Sequence, residues 1–275
     1  MRIGRLMSGF ITVLAASYFL MVAALFLFQR SLLYFPDTSV PSPTASGVAE
    51  MRPAILRTAD GIDLRSWYRA APPGRPTIIF FHGNAGNIGS RSDKARPYLD
   101  AGYGLLLLEY RGYGGNTGKP TEEGLYADGR AALAFLAGEG VKPELTVLYG
   151  ESLGSGVAVR MAAEMAQETP AAALALEAPF TSVTDVAAHH YPYAPVRLLN
   201  RDKFDSASRI AGVRCPLLII HGENDGTVPV KFGQKLFALA QQPKESRWLA
   251  GVGHNEIYDF GGADAVLDFL KRSNL

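Results

Sequence analysis

Gly150-Glu151-Ser152-Leu153-Gly154 sets one hydroxyl between two glycines. The apolar run TVLY precedes it and the helix-like VAVRMAAEMAQ follows soon after, so Ser152 falls on a strand-to-helix turn. Such a turn lifts a side chain above a sheet edge, and the flanking glycines keep Cβ atoms out of the corner. The first N–H groups of a helix lack intrahelical partners. That of Leu153 can therefore point at the oxyanion that forms when a hydroxyl attacks a carbonyl. A serine hydroxyl is a weak nucleophile until a base takes its proton. The chemistry these residues suggest is acyl transfer, with a base and an acid further along the chain.

On a turn of this kind the partners follow in the order serine, acid, histidine. Of His82, His189, His190, His221 and His254, only His254 follows both Ser152 and a plausible acid at a strand end. It lies in the loop Gly251-Val252-Gly253-His254-Asn255, after the last strand-like run. Asp225, in the short loop after PLLII, is the preferred acid, because a preorganised carboxylate fixes the imidazole tautomer. Glu177, at the end of ALALE, also satisfies the order and stays open as the alternative. Asp185, Asp202 and Asp205 are expected to cap helices or face solvent. A second oxyanion donor should follow an earlier strand, where TIIFF runs into His82-Gly83-Asn84-Ala85-Gly86-Asn87. The backbone N–H of Asn84 is the candidate, with Ala85 next. His82 and His221 read as loop braces, His189-His190 as a solvated pair and Cys215 as a small core residue. Glu151 reads as a pocket-tuning, solvated or salt-bridged neighbour of the nucleophile. No cofactor or metal is called for. Arg111-Gly112-Tyr113-Gly114-Gly115 lacks the lysine pattern of a phosphate loop.

These residues need a scaffold that places strand ends side by side. Apolar runs at 77–81, 105–109, 146–149, 173–177, 216–220 and 247–250 alternate with helix-like stretches at 88–100, 121–137, 153–168, 228–241 and 263–272. Fully apolar strands imply burial on both faces, hence a mostly parallel α/β sheet. Asp60-Gly61 between AILRT and LRSWYRA signals a leading hairpin. The interval 180–213 shows no clear period.

Composition agrees with one large catalytic domain, expected at 54–275. Apolar residues make up 48% of the 275 and charged residues 19%. A net charge of +1 lacks the basic footprint of a nucleic-acid binder. One cysteine excludes an intrachain disulfide framework. Ahead of the domain, Phe10–Phe28 holds nineteen residues without a charge, about 28 Å of helix against a hydrocarbon core of roughly 30 Å. A transmembrane anchor over 10–28 is the favoured reading, within an N-terminal segment 1–35. A cleaved signal peptide and a buried core helix remain as alternatives. Arg2 and Arg5 precede the run and Arg30 follows it, so the N-terminus is expected in the cytoplasm and the catalytic domain outside. Residues 36–53, rich in Pro, Ser and Thr, have linker composition.

Taken together, HGNAGN, EYRGYGGNTG, GESLGSG, EAPFTSV, PLLIIHGENDGTVP and GVGHNE resemble the α/β-hydrolase superfamily over nearly the whole chain. The likeness is to small serine hydrolases with a single N-terminal membrane anchor, including the segment QRSLLYFP after the anchor. It implies an eight-stranded, mostly parallel sheet with helices on both faces and a minimal cap at Phe180–Val213. It also implies a Ser152–Asp225–His254 triad and an oxyanion hole from the N–H groups of Leu153 and Asn84. Members include esterases, thioesterases and peptidase-like enzymes, so the physiological substrate does not carry over. Cleavage of an acyl ester or thioester is the expectation, with a peptidase or amidase on the same triad, or a catalytically silent binding protein on this scaffold, as the alternatives. Glu109 stands where relatives commonly carry aspartate, and Val252 replaces a glycine.

Overall fold

The computed structural model describes residues 2–275, without the side chains of residues 2–6 and Ser8. Arg2 and Arg5, on which the topology expectation rests in part, therefore have side chains outside the described residues. Eight strands form one sheet: β1 (Arg52–Arg57), β2 (Asp63–Arg69), β3 (Thr77–Phe81), β4 (Gly104–Leu108), β5 (Thr146–Glu151), β6 (Ala173–Glu177), β7 (Leu217–Gly222) and β8 (Lys244–Leu249). Their order is β8-β7-β6-β5-β3-β4-β2-β1. The pairs β1–β2 and β2–β4 are antiparallel and the others parallel. The fold is the α/β-hydrolase fold.

Alternation along the strands divides the core in two. Ile79, Phe81, Leu106 and Leu108 pack on one face with Leu125, Val157 and Leu236, from α3 (Glu122–Gly138), α4 (Leu153–Met165) and α7 (Val230–Leu239). Ile78, Phe80, Leu105 and Leu107 pack on the other with Tyr98 and Phe269, from α2 (Ser92–Asp100) and α8 (Gly262–Arg272). A period of two sends neighbouring side chains to opposite faces, so a strand such as TIIFF is apolar throughout because both faces are covered. The edge strand β8 is only half-buried and begins at Lys244, ahead of the apolar run that marks it in the sequence.

Two regions differ from their sequence reading. The interval 180–213 folds into α5 (Val183–His190), α6 (Val196–Leu199) and a short 3₁₀ turn at Ile210–Gly212. Within it Asp202 is buried and serves a helix start, as one of its two expected roles has it: it accepts the Glu122 N–H that opens α3 and forms a 2.8 Å ion pair with Arg30. Residues 36–53, read as a linker, lie against the domain. Phe35–Pro36 pairs in parallel with Ala85–Gly86, Asp37 bonds Gly86 and Gly114 through its backbone, and Val48 and Met51 are buried. Pro/Ser/Thr composition removes regular hydrogen bonding but does not prevent packing.

α1 (Arg2–Leu33) is one continuous helix, and Gly9–Leu33 is long and apolar enough to cross a membrane. Val22, Leu25, Phe26, Gln29 and Leu33 form a half-buried stripe on it, with helical spacing. The stripe faces α5 and α6, and Tyr34 beyond it is buried in the core.

Candidate active site

At the carboxyl end of β5 the chain reverses through Ser152, with φ 48° and ψ −114°, directly into α4. A non-glycine residue in that region costs on the order of 1–3 kcal/mol and persists only where its surroundings enforce it. Here they do: the Ser152 N–H donates to the Glu177 carbonyl at 2.8 Å, and the Ser155 N–H to the Ser152 carbonyl at 2.9 Å. The glycines are steric requirements. A Cβ on Gly154 would lie 2.0 Å from the Phe81 carbonyl oxygen, and one on Gly150 2.6 Å from the Ser155 Cα. Both clashes are with backbone, so helix α4 can seat against β3 only with glycine at these positions.

Ser152, His254 and Asp225, which lie on three separate segments, converge. His254 Nδ1 donates to Asp225 Oδ2 at 2.6 Å, and His254 Nε2 accepts from the Ser152 hydroxyl at 3.0 Å. Asp225 is buried at the end of the β7 loop, where the N–H groups of Thr227 and Val228 donate to its Oδ1 at 2.8 and 2.7 Å. Burial opposes its charge, but hydrogen bonds from His221, His254 and Val228 outweigh that and hold the carboxyl well below the usual carboxylate range. The same Oδ2 that meets His254 lies 3.2 Å from His221 Nε2, and that ring nitrogen also reaches the Val228 carbonyl at 2.8 Å. His221 thus braces the acid's loop.

Glu177, the alternative acid, points elsewhere. It accepts from the Tyr149 hydroxyl and from Lys94 Nζ at 2.6 Å. Arg91 clasps Glu151 with two hydrogen bonds, at 2.9 and 3.1 Å, and Lys94 lies 3.4 Å from the same carboxylate. Burial disfavours the charges on Lys94 and Glu151, yet the neighbouring opposite charges win: the ammonium is raised and the carboxyl lowered from their ordinary values. The four charged side chains Arg91, Lys94, Glu151 and Glu177, with Ser90, Ser152, Ala178, His254 and Asn255, line a cavity of about 190 Å³ at the strand ends. Sequence reasoning missed Arg91 and Lys94. Their spacing of three on the helical stretch after HGNAGN was the available signal.

The two oxyanion candidates lie where β3 and β5 end. Leu153 is the first residue of α4, and Asn84 follows β3 in the His82 loop. Among the described residues, no hydrogen bond is recorded from the Asn84 N–H. Its other groups are fixed: the side chain donates to the Leu33 carbonyl at 2.7 Å, and its carbonyl accepts from Phe35 N–H and the Tyr113 hydroxyl. His82 is fully buried between the Gly83 carbonyl (2.7 Å) and the Glu109 carboxylate (3.1 Å). Glu109 also accepts the Ile88 N–H, so the longer glutamate spans this loop. His189 and His190 sit at the exposed end of α5, and Cys215 is buried. Among the described residues no cluster of His, Cys, Asp or Glu has the arrangement of a metal site.

Residues 76–207 match the α/β hydrolase fold family. Over 213 residues the chain is 35% identical to human α/β hydrolase domain-containing protein 17B, covering 75% of this chain and 70% of that one. The chain belongs to the α/β-hydrolase family. An uncharacterised Mycobacterium tuberculosis protein shares 42% identity with this α/β hydrolase, over 89% of this chain and 86% of its own. Among solved structures, an α/β hydrolase of Vibrio vulnificus aligns with a TM-score of 0.70 at 25% identity, covering 82% of this chain and 84% of that one. An esterase of Pyrococcus furiosus has the same fold, with a TM-score of 0.71 at 19% identity, covering 88% of this chain and 98% of that one.

Proposed function

We propose that this α/β hydrolase cleaves carboxylic ester or thioester bonds through an acyl-enzyme on Ser152. The observation that carries the reading is the continuous chain Asp225–His254–Ser152, with contacts of 2.6 and 3.0 Å. The Ser152 oxygen attacks the substrate carbonyl while its proton passes to His254 Nε2. The negative charge that develops on the carbonyl oxygen meets the N–H groups of Leu153 and Asn84. Collapse of the tetrahedral species breaks the bond to the alcohol or thiol, which leaves with the proton held by His254. Water then repeats the sequence on the acyl-enzyme, with His254 again as base, and releases the acid. Asp225 stays ionised throughout and stabilises the imidazolium. Its depressed proton affinity fits that role.

In the same reading α1 is a retained membrane anchor with the N-terminus in the cytoplasm and the catalytic domain on the extracytoplasmic side. The Tyr18–Tyr193 hydrogen bond of 2.9 Å and the place of Val22 in the groove wall support retention, because cleavage after Ala24 would remove both contacts. Alkaline phosphatase fused after Leu275 should be active, and recovery of the full chain in a carbonate wash would contradict the anchor. The activity is tested by parallel assays of short p-nitrophenyl esters and acyl thioesters with wild type and Ser152→Ala. Hydrolysis lost in the variant is the expected result; equal turnover by both would refute the assignment.

A further inference from the structure

The cap does not stand clear of α1 but runs back along it. The Tyr18 hydroxyl donates to the Tyr193 carbonyl at 2.9 Å, far up the apolar part of the helix. Nearer its end, Gln29 donates to the Leu199 carbonyl and accepts the Arg201 N–H, and Arg30 pairs with Asp202. From Gln29 back to Tyr18 is eleven residues, about 16 Å along the helix at 1.5 Å per residue. That is about half of a roughly 30 Å hydrocarbon core. If α1 spans a bilayer with Gln29 and Arg30 near its boundary, the cap tip at Tyr193 is carried into the same leaflet.

The composition and hydrogen bonding of the tip suit that medium. The segment YPYAPVRLL at 191–199 carries one charge, Arg197, which pairs with Asp185 at 2.8 Å. Leu198 is 86% exposed and Tyr193 54%, large apolar surfaces with no covering side chain from the domain. Backbone N–H groups immersed in hydrocarbon must find partners within the protein. Of the backbone N–H groups from Tyr191 to Asn200, six donate within the cap (Tyr191, Ala194, Val196, Leu198, Leu199 and Asn200), those of Tyr193 and Arg197 are left without such a bond among the described residues, and Pro192 and Pro195 have no N–H. An apolar groove of about 140 Å³ separates the tip from α1, walled by Val22, Leu25 and Phe26 on one side and Val183, Ala187 and Val196 on the other. The outward face of α1 beside it, at Phe19, Leu27 and Phe28, is apolar and exposed, so the wall is continuous with the surface that meets lipid.

We infer that the 191–199 segment is a second membrane-embedded element, inserted in one leaflet beside α1, and that the groove between them holds a lipid acyl chain. This rests on the reading of α1 as a membrane span and not on the hydrolytic chemistry. An environment-sensitive nitrobenzoxadiazole label on single introduced cysteines tests it in the full-length protein. Cys215 is buried and its thiol is pushed up to about 12, so reaction is directed to the introduced thiol. The positions are Leu198→Cys and Tyr193→Cys on the tip, Phe19→Cys on α1, and Glu144→Cys at the far end of the sheet. After reconstitution in phosphatidylcholine–phosphatidylglycerol vesicles, phospholipids with nitroxide-bearing acyl chains should quench the tip and α1 labels at least about twofold and spare Glu144→Cys. Quenching at Phe19→Cys with none at either tip position would place the cap in water and overturn the inference. Absence of quenching at Phe19→Cys as well would overturn it together with the anchor. For the groove, a chain nitroxide should quench a label at Ala187→Cys, whereas quenching only by headgroup nitroxides would exclude an acyl chain there.

Discussion

The cavity at Ser152, about 190 Å³, and the groove between α1 and the α5–α6 cap, about 140 Å³, are built on opposite principles. The one at Ser152 is walled by charges that satisfy one another: Arg91 with Glu151, and Lys94 with both Glu151 and Glu177. The one at α1 is walled by aliphatic and aromatic side chains, with Gln29, Asn200 and Asp202 as its polar residues. Buried charges hold a fixed geometry only when each has a partner, because an unpaired charge in a low-dielectric site shifts its protonation instead. Apolar walls impose no such pairing and suit a ligand that is itself flexible hydrocarbon. The contrast separates a site organised to position atoms for a reaction from one that offers surface.

Substitutions should respect that division. The largest effect is expected at the nucleophile. Ser152→Ala should lower kcat for short esters by at least about 10³-fold with the thermal midpoint little changed, since the hydroxyl lies in a cavity rather than in the core. Removal of the acid comes next. Asp225→Asn should cost about 10²- to 10⁴-fold in kcat by loss of the imidazole's orienting partner. Glu177→Gln, one strand away, should stay within about tenfold of wild type, because it changes a charge pair and not the histidine. The reverse ranking would move the acid to Glu177.

Acidity provides a second contrast between these carboxylates. The Asp225 carboxyl is held below its ordinary value in the fold, so the stability it contributes is full above the unfolded-state value. That contribution is lost as pH falls through the folded-state value. Asp225→Asn has no such contribution, so the gap in thermal midpoint between wild type and variant should narrow on acidification from pH 7 towards pH 3. A gap independent of pH would mean that folding leaves the proton affinity of the Asp225 carboxyl unchanged. On the exposed cap tip beside the other cavity the smallest catalytic effect is expected. Leu198→Asp should leave short-ester turnover within about twofold, while the membrane cost of a charge, about 2.5–3.5 kcal/mol at depth, reduces nitroxide quenching of a label at Tyr193→Cys.

The two regions also differ in how much of them the sequence discloses. Ser152, Asp225 and His254 are legible because each follows a strand whose apolar run ends in a glycine-bearing loop; backbone clashes demand glycine at Gly150, Gly154 and Gly222, and a φ of 77° favours it at Gly251. The strands are legible because both faces are covered, which leaves runs such as LLLL without a polar residue. Lys94 and Glu177 are 83 residues apart and nothing in either neighbourhood encodes their pairing, so it emerges only when the Lys94 side chain on α2 reaches the carboxyl end of β6. The groove is less legible still. Its cap wall lies in the aperiodic 180–213 interval, and its other wall is a helix whose uniform apolarity hides the stripe that faces protein. Segment 36–53 shows the same limit from the other side, since a Pro/Ser/Thr-rich run has no period to reveal that Val48 and Met51 enter the core.

The central claim is that the Ser152 hydroxyl is an activated nucleophile. Phosphonylation by a fluorophosphonate, followed by peptide mass spectrometry, measures this directly. The adduct should map to Ser152, form rapidly in wild type, slow markedly in His254→Ala and disappear in Ser152→Ala. A wild-type protein that is folded, binds the membrane and takes up no phosphonate at Ser152 would contradict the account.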